Sequence, residues 1–238
     1  MKAVRVLSRW LLVLCVPLLL LSGMIGVAFN SLWIYTSGFS KYDVASKMEL
    51  SEAELKRATQ ELIAYFNNPN QQYLDISVTY DNGQAGPLYD RDAVAHMKDV
   101  KGLLWLDYYI CLFSVVYILS YSAVLWFRER SEISNELTIG AWRGGLSTLG
   151  LVAFLGLFAV TGFDGFFTAF HEIFFPHGNY EFSPYDHMVI MFPHGFWFDV
   201  AMLVGIVVLG LGLLVAGGGW LFLRYFNRRE FSIGVKSP

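Results

Sequence analysis

The chain reads as an α-helical integral membrane protein with four transmembrane helices carrying a small extracytoplasmic α+β cap. Three observations lead there. Hydrophobic residues make up 55% of the chain and aromatics 17%, against 16% charged, a balance far from that of a soluble domain. Four apolar runs are each long enough to span a bilayer, which needs about 20 residues. The Lys and Arg residues flanking them fall on one side.

The chain divides in order. Residues 1–29 hold a cytoplasmic N-terminus with Lys2, Arg5 and Arg9, then the first span. A signal peptide is the rival reading, because Gly26-Val27-Ala28 resembles a cleavage site, but the apolar run exceeds a usual signal core. Leu12-Val-Leu-Cys15 matches a lipoprotein box only superficially, since almost no apolar core precedes it. The further spans are 102–127, 146–163 and 197–224, separated by a cytoplasmic loop at 128–145 and followed by a cytoplasmic tail at 225–238. Arg128, Arg130, Arg143, Arg224, Arg228, Arg229 and Lys236 join the N-terminal charges on one face, which the positive-inside rule makes cytoplasmic. Both termini are therefore expected in the cytoplasm. Residues 30–101 and 164–196, with all five histidines, are expected outside.

Within 30–101, Ser51-Glu-Ala-Glu54 is a capping box, and Leu55, Ala58, Leu62, Ile63 and Phe66 follow at helical spacing until Asn67-Asn68-Pro69. Alternation over Tyr73 to Tyr80, then Asp81-Asn82-Gly83, predicts a β-hairpin. One helix and two strands are too few to stand alone and need an apolar floor. From Asp90 the chain runs into the second span as one helix, with Asp92, His96 and Asp107 near one face and Asp107 about 16 Å deeper than His96. An acid just inside a span is a functional candidate, and equally a helix–helix hydrogen bond.

Residues 163–197 concentrate the chemistry: His171, His177, His187 and His194 among aromatics, with Asp164, Glu172, Glu181 and Asp186 and no Lys or Arg. A titratable, apolar stretch between two spans belongs at a membrane–water interface. Several classes fall away. The net charge of −3 and the lack of a basic stripe exclude a nucleic-acid surface. No Gly-x-Ser-x-Gly elbow is present. There is no His-Glu-x-x-His, the histidines follow no metal-ligand spacing, and no cofactor is called for. Cys15 and Cys111 sit in apolar runs as small core residues. Histidine acid/base chemistry remains, with His96 and His171 placed to meet at the boundary. His177, His187 and His194 read as satisfied interfacial residues.

Arg91-Asp-Ala-Val-Ala-His96-Met97-Lys98-Asp99-Val100-Lys101, then Phe170-His171-Glu172-Ile-Phe-Phe, then Ser183-Pro184-Tyr-Asp186 and Phe196-Trp197-Phe198-Asp199, resemble the lipoprotein intramolecular transacylase family over nearly the whole chain. Tyr180 and Ser183-Pro184 stand where the family pattern has Trp and Asp-Pro. The resemblance implies transfer of the sn-2 acyl chain of a diacylglyceryl-cysteine lipoprotein to that cysteine's own α-amine. The partners are then the lipoprotein substrate and membrane lipid. His96 and His171 are the implied catalytic pair, without assignment of base and acid. Asp99 and Glu172 would orient them, and Phe170, Phe174, Tyr180 and Trp197 would line the site. An ester-to-amide transfer in which the substrate brings the nucleophile explains a site with no Ser or Cys of its own. A non-enzymatic lipid- or lipoprotein-binding module is the alternative. A proton-coupled transporter is weaker, because Asp107 and Asp199 have no carboxylates deeper in the spans.

Overall fold

The structure is a computed structural model that describes residues 2–128, 130, 133–176 and 180–234. His177 lies outside the described residues, as do the side chains of Arg228, Arg229 and Lys236. The elements are α1 (Lys2–Asn30), α2 (Leu32–Lys41), α3 (Val44–Lys47), α4 (Glu52–Asn67), β1 (Ser77–Thr79), β2 (Ala85–Pro87), α5 (Arg91–Arg128), α6 (Ile133–Thr161), α7 (Phe163–Phe174), α8 (His187–Met191) and α9 (His194–Gly234). Among the described residues four helices, α1, α5, α6 and α9, are long and apolar enough to cross a membrane. The protein is an α-helical integral membrane protein with a small α+β cap.

The chain forms two compact units. One comprises residues 1–24, 108–156 and 204–238, the bulk of the four spans. Here small residues let helices close in, as bilayer packing favours. A Cβ on Gly145 would meet the Ala216 backbone, one on Gly212 the Thr148 side chain, and one on Gly144 the Val16 side chain. Polar side chains return to their own helix: Thr148 donates to the Gly144 carbonyl (2.9 Å) and Ser114 to that of Ile110 (2.8 Å). Tyr117 reaches across to the Ser8 carbonyl (2.9 Å).

The loop expected at 128–145 is mostly helix, since α6 begins at Ile133. Hydropathy hides this start because of Glu136. In the fold that carboxylate is paired with Arg5 and Arg9 of α1, so the helix extends past its apolar window. The expected tail is likewise helical through Gly234.

The second unit, residues 25–107 and 157–203, holds the cap. Ser51 caps α4 by accepting from the Glu54 amide (3.2 Å), and the face of Leu55, Ala58, Leu62, Tyr65 and Phe66 is buried. The hairpin is short: Val78 opposes Gly86, and Gly83 supplies the turn at φ +81°. It is tied to α4 by Arg57, which donates to the Ser77 carbonyl (2.5 Å), and by the Thr79 amide, which donates to Glu54 (2.8 Å). Two elements within 30–50, α2 and α3, have no counterpart in the sequence reading. Tyr35 and Phe39 of α2 stack on Phe196 at 6.2 and 6.0 Å and also meet Phe192, forming an aromatic floor. At 38 residues, α5 is about 57 Å long, well beyond the ~30 Å hydrocarbon core. About 27 Å of it therefore extends beyond such a core.

Candidate active site

The site grows from two helices. In α7, residues Asp164, Phe167 and His171 fall along one face at about 100° per residue. Of its twelve residues only His171 is buried, while Phe170, Glu172, Ile173 and Phe174 are exposed. The His171 Nδ1 lies 2.8 Å from the Phe167 carbonyl oxygen. A carbonyl only accepts, so Nδ1 carries the proton and Nε2 keeps its lone pair. In the first turns of α5, His96 is 7% exposed, and its Nδ1 is buried with no hydrogen-bond partner. The two imidazoles lie 6.0 Å apart, centroid to centroid, with planes 20° apart.

Aromatic rings enclose the pair. Phe175 (4.9 Å) and Phe182 (5.6 Å) flank His96. Phe167 (4.1 Å), Phe170 (5.4 Å), Tyr180 (5.1 Å) and Phe175 (5.4 Å) surround His171. Burial, helped by the neighbouring His171 and opposed by Asp99, pushes His96 down to about 4. Burial also lowers His171, against the pull of the Phe167 carbonyl. Both rings are thus neutral at pH 7, in a buried aromatic setting.

The family model for lipoprotein intramolecular transacylase Lit matches residues 10–197. The chain belongs to that family. It superposes on the membrane-integral lipoprotein intramolecular transacylase Lit from Bacillus cereus with a TM-score of 0.74 at 16% identity, covering 96% of this chain and 100% of that one. The same protein with a histidine-to-arginine substitution superposes at 0.70, again at 16% identity, with 96% of each chain covered. These likenesses show the shared fold. An uncharacterized protein of Aquifex aeolicus is 29% identical over 138 residues, 58% of this chain and 59% of that relative. The alignment thus spans about three fifths of that relative's length.

In this transacylase-family chain the other predicted site residues divide. The structure gathers His96, His171, Phe170 and Tyr180. Asp99, one turn beyond His96, acts on it electrostatically. Phe174 touches Phe170 (4.8 Å) from an exposed position, and Glu172 is exposed. Trp197 packs in the aromatic floor, on Phe29 (6.2 Å), Phe192 (5.8 Å) and Phe196 (5.3 Å). Phe167, Phe175 and Phe182 were not singled out in the sequence. Phe167 and Phe175, four residues either side of His171, had helical spacing as their one signal.

Asp92 is exposed while His96 is buried, so the two do not share an environment. Asp107 has a buried Oδ2 with no hydrogen-bond partner. Asp199 is engaged by Lys41 (2.6 Å) and Tyr42 (2.8 Å). His187 donates from Nδ1 to the Leu88 carbonyl (2.7 Å) and lies against Tyr80, a fixed structural contact rather than a solvated one. Among the described residues no three His, Cys, Asp or Glu side chains are grouped to hold a metal ion.

Proposed function

We propose that this chain moves the sn-2 acyl chain of a diacylglyceryl-cysteine lipoprotein to the α-amine of the same cysteine, giving the lyso form. The supporting observation is the His96–His171 pair, closed in by aromatics, with the His171 tautomer held by the Phe167 carbonyl.

His171 Nε2 is the base. As the neutral α-amine attacks the ester carbonyl, Nε2 takes the amine proton. When the tetrahedral intermediate collapses and the C–O bond to glycerol breaks, the imidazolium returns that proton to the departing oxygen. No net proton is consumed, so one base serves both steps. His96, held neutral, offers an N–H to the oxygen that gathers negative charge, a donor whose effect is large in a water-poor site. Asp99, one turn beyond His96, acts on that ring electrostatically, whereas the exposed Glu172 makes no hydrogen bond to either ring. Phe170, Phe174, Tyr180 and Trp197 contact the lipid portion, and closure around both reacting groups supplies the ordering an intramolecular transfer needs. The site faces outward, with both termini in the cytoplasm, as the Lys and Arg distribution supports.

Mass spectrometry of lipoprotein N-termini, from a host with and without this chain, tests the reading. Appearance of the lyso form with an N-acyl cysteine only when the chain is present is expected. Unchanged N-termini, with the chain nevertheless co-purifying with lipoprotein, would replace it with the binding-module reading.

A further inference from the structure

The orientation of α7 is a problem the fold has to solve, because His171 is its only buried residue. The helix is strongly amphipathic, which turns its apolar side to an apolar surface but leaves the fine direction of the His171 ring to specific contacts. Yet His171 must point at His96.

Two contacts from α9 fall on the face of α7 that carries His171. Phe198 meets Phe163 edge-on at 5.3 Å. His194, the first residue of α9, does more. Its Nδ1 lies 3.0 Å from Asp164 Oδ1, so Nδ1–H donates to the carboxylate, and its ring lies 4.6 Å from the Phe167 ring. Phe167 touches His171 twice, with its ring at 4.1 Å and its carbonyl oxygen at 2.8 Å from Nδ1. The start of α9 is itself fixed from the other side. Asp199 takes hydrogen bonds from Lys41 and Tyr42 at the end of α2. Tyr42 lies so close to Gly195 that a Cβ there would come within 2.6 Å of its hydroxyl.

We propose that His194 is a positioning residue for His171: through Asp164 and Phe167 it sets the rotation of α7 and thereby the direction of the His171 ring. The chain of contact runs from α2 to α9 and from α9 to α7. His194 and Asp164 are both exposed, with 56% and 86% of their side chains accessible, so the pair is placed to aim a helix rather than to fill a core. A misdirected reacting group is expensive, since about 1 Å of misplacement can cost about 100-fold in rate.

The test uses the full chain in lipid nanodiscs, with the substitutions His194→Ala, His194→Asn, His194→Gln and Asp164→Ala. Two readouts are taken: lyso-lipoprotein formation per folded protein, and backbone hydrogen exchange over residues 163–174. An Asn amide nitrogen can occupy the place of Nδ1, whereas that of Gln sits nearer Nε2. His194→Ala and Asp164→Ala should lower kcat about 10- to 100-fold, leave KM unchanged and speed exchange in α7. His194→Asn should recover most of both effects and His194→Gln little of either. Unchanged exchange in α7 for both alanine variants overturns the proposal, as does His194→Asn behaving like His194→Ala. The activity readout rests on the transacylase reading, but the exchange readout does not. If the wild-type chain forms no lyso product, that reading fails and exchange still decides the role of His194.

Discussion

His96 and His171 face each other at 6.0 Å with nearly parallel rings, yet only His171 has its Nδ1 held by the protein. The asymmetry gives two chemically identical side chains different capacities. His171 is locked in the tautomer that can accept a proton at Nε2. The buried Nδ1 of His96 is left without a partner, an arrangement that a folded protein ordinarily avoids.

If both rings serve one transition state, as proposed, their losses should not add. His96→Ala and His171→Ala should each lower lyso-lipoprotein formation by about 10²–10⁴-fold while the chain still accumulates in the membrane. The double variant should be about as inactive as either single one. Quantitative mass spectrometry at matched expression checks this, and a double variant poorer by the product of the two factors would mean independent roles.

Low pH should act on both activity and stability. The base must be neutral, and burial lowers both imidazoles from an ordinary value near 6.5, His96 to about 4. The limb set by these histidines should therefore fall below pH 6.5, beneath that of the substrate's α-amine, whose ordinary pKa is about 8 and which must also be neutral to attack. For stability, a histidine depressed in the folded state contributes fully above its unfolded pKa, and that contribution is lost as pH falls from 6.5 towards 4. For His96 the loss is on the order of 3 kcal/mol. Thermal melts at pH 7, 5.5 and 4 should show the decline for wild type and a flatter dependence for His96→Ala.

Lys101 should prove structural. It is buried, donates to the Asn68 (2.6 Å) and Gln71 (2.7 Å) carbonyls, and sits 4.2 Å from the Tyr65 ring centroid. Lys101→Met keeps the stem but strands both carbonyls beyond α4, at a cost of about 2 kcal/mol. The melting temperature should drop. His187→Ala should likewise lose about 1 kcal/mol, through the Leu88 carbonyl, while retaining transacylation. Abolished activity in a folded His187→Ala protein would move that residue into the site.

Orientation can be read with reporters. A fusion after Pro238 should behave as cytoplasmic, and an insertion at Asn82-Gly83 as external. The reverse pattern would put the histidine pair on the wrong side of the membrane for an exported lipoprotein.

What the sequence by itself determined is local. Hydropathy over some 20 residues is a property of one segment, so the four spanning helices were legible without tertiary information. The Ser51 capping box and the turn around Gly83 were legible for the same reason. The residue types for acid/base chemistry were visible too. Tertiary structure decided the rest, because the deciding contacts join residues distant in the chain. Residues 128–145 were expected as a loop, and α6 starts within them at Ile133, with Glu136 paired to Arg5 and Arg9 on another helix. α2 makes no side-chain cap hydrogen bond at Ser31 and packs through Phe39 on Phe192 and Phe196. Lys101 is held by the carbonyls of Asn68 and Gln71, about 30 residues earlier, which no local pattern shows. His96 and His171 are 75 positions apart, so their approach, and the difference between them, depends on how α5 and α7 pack. No periodicity along the chain encodes that relation.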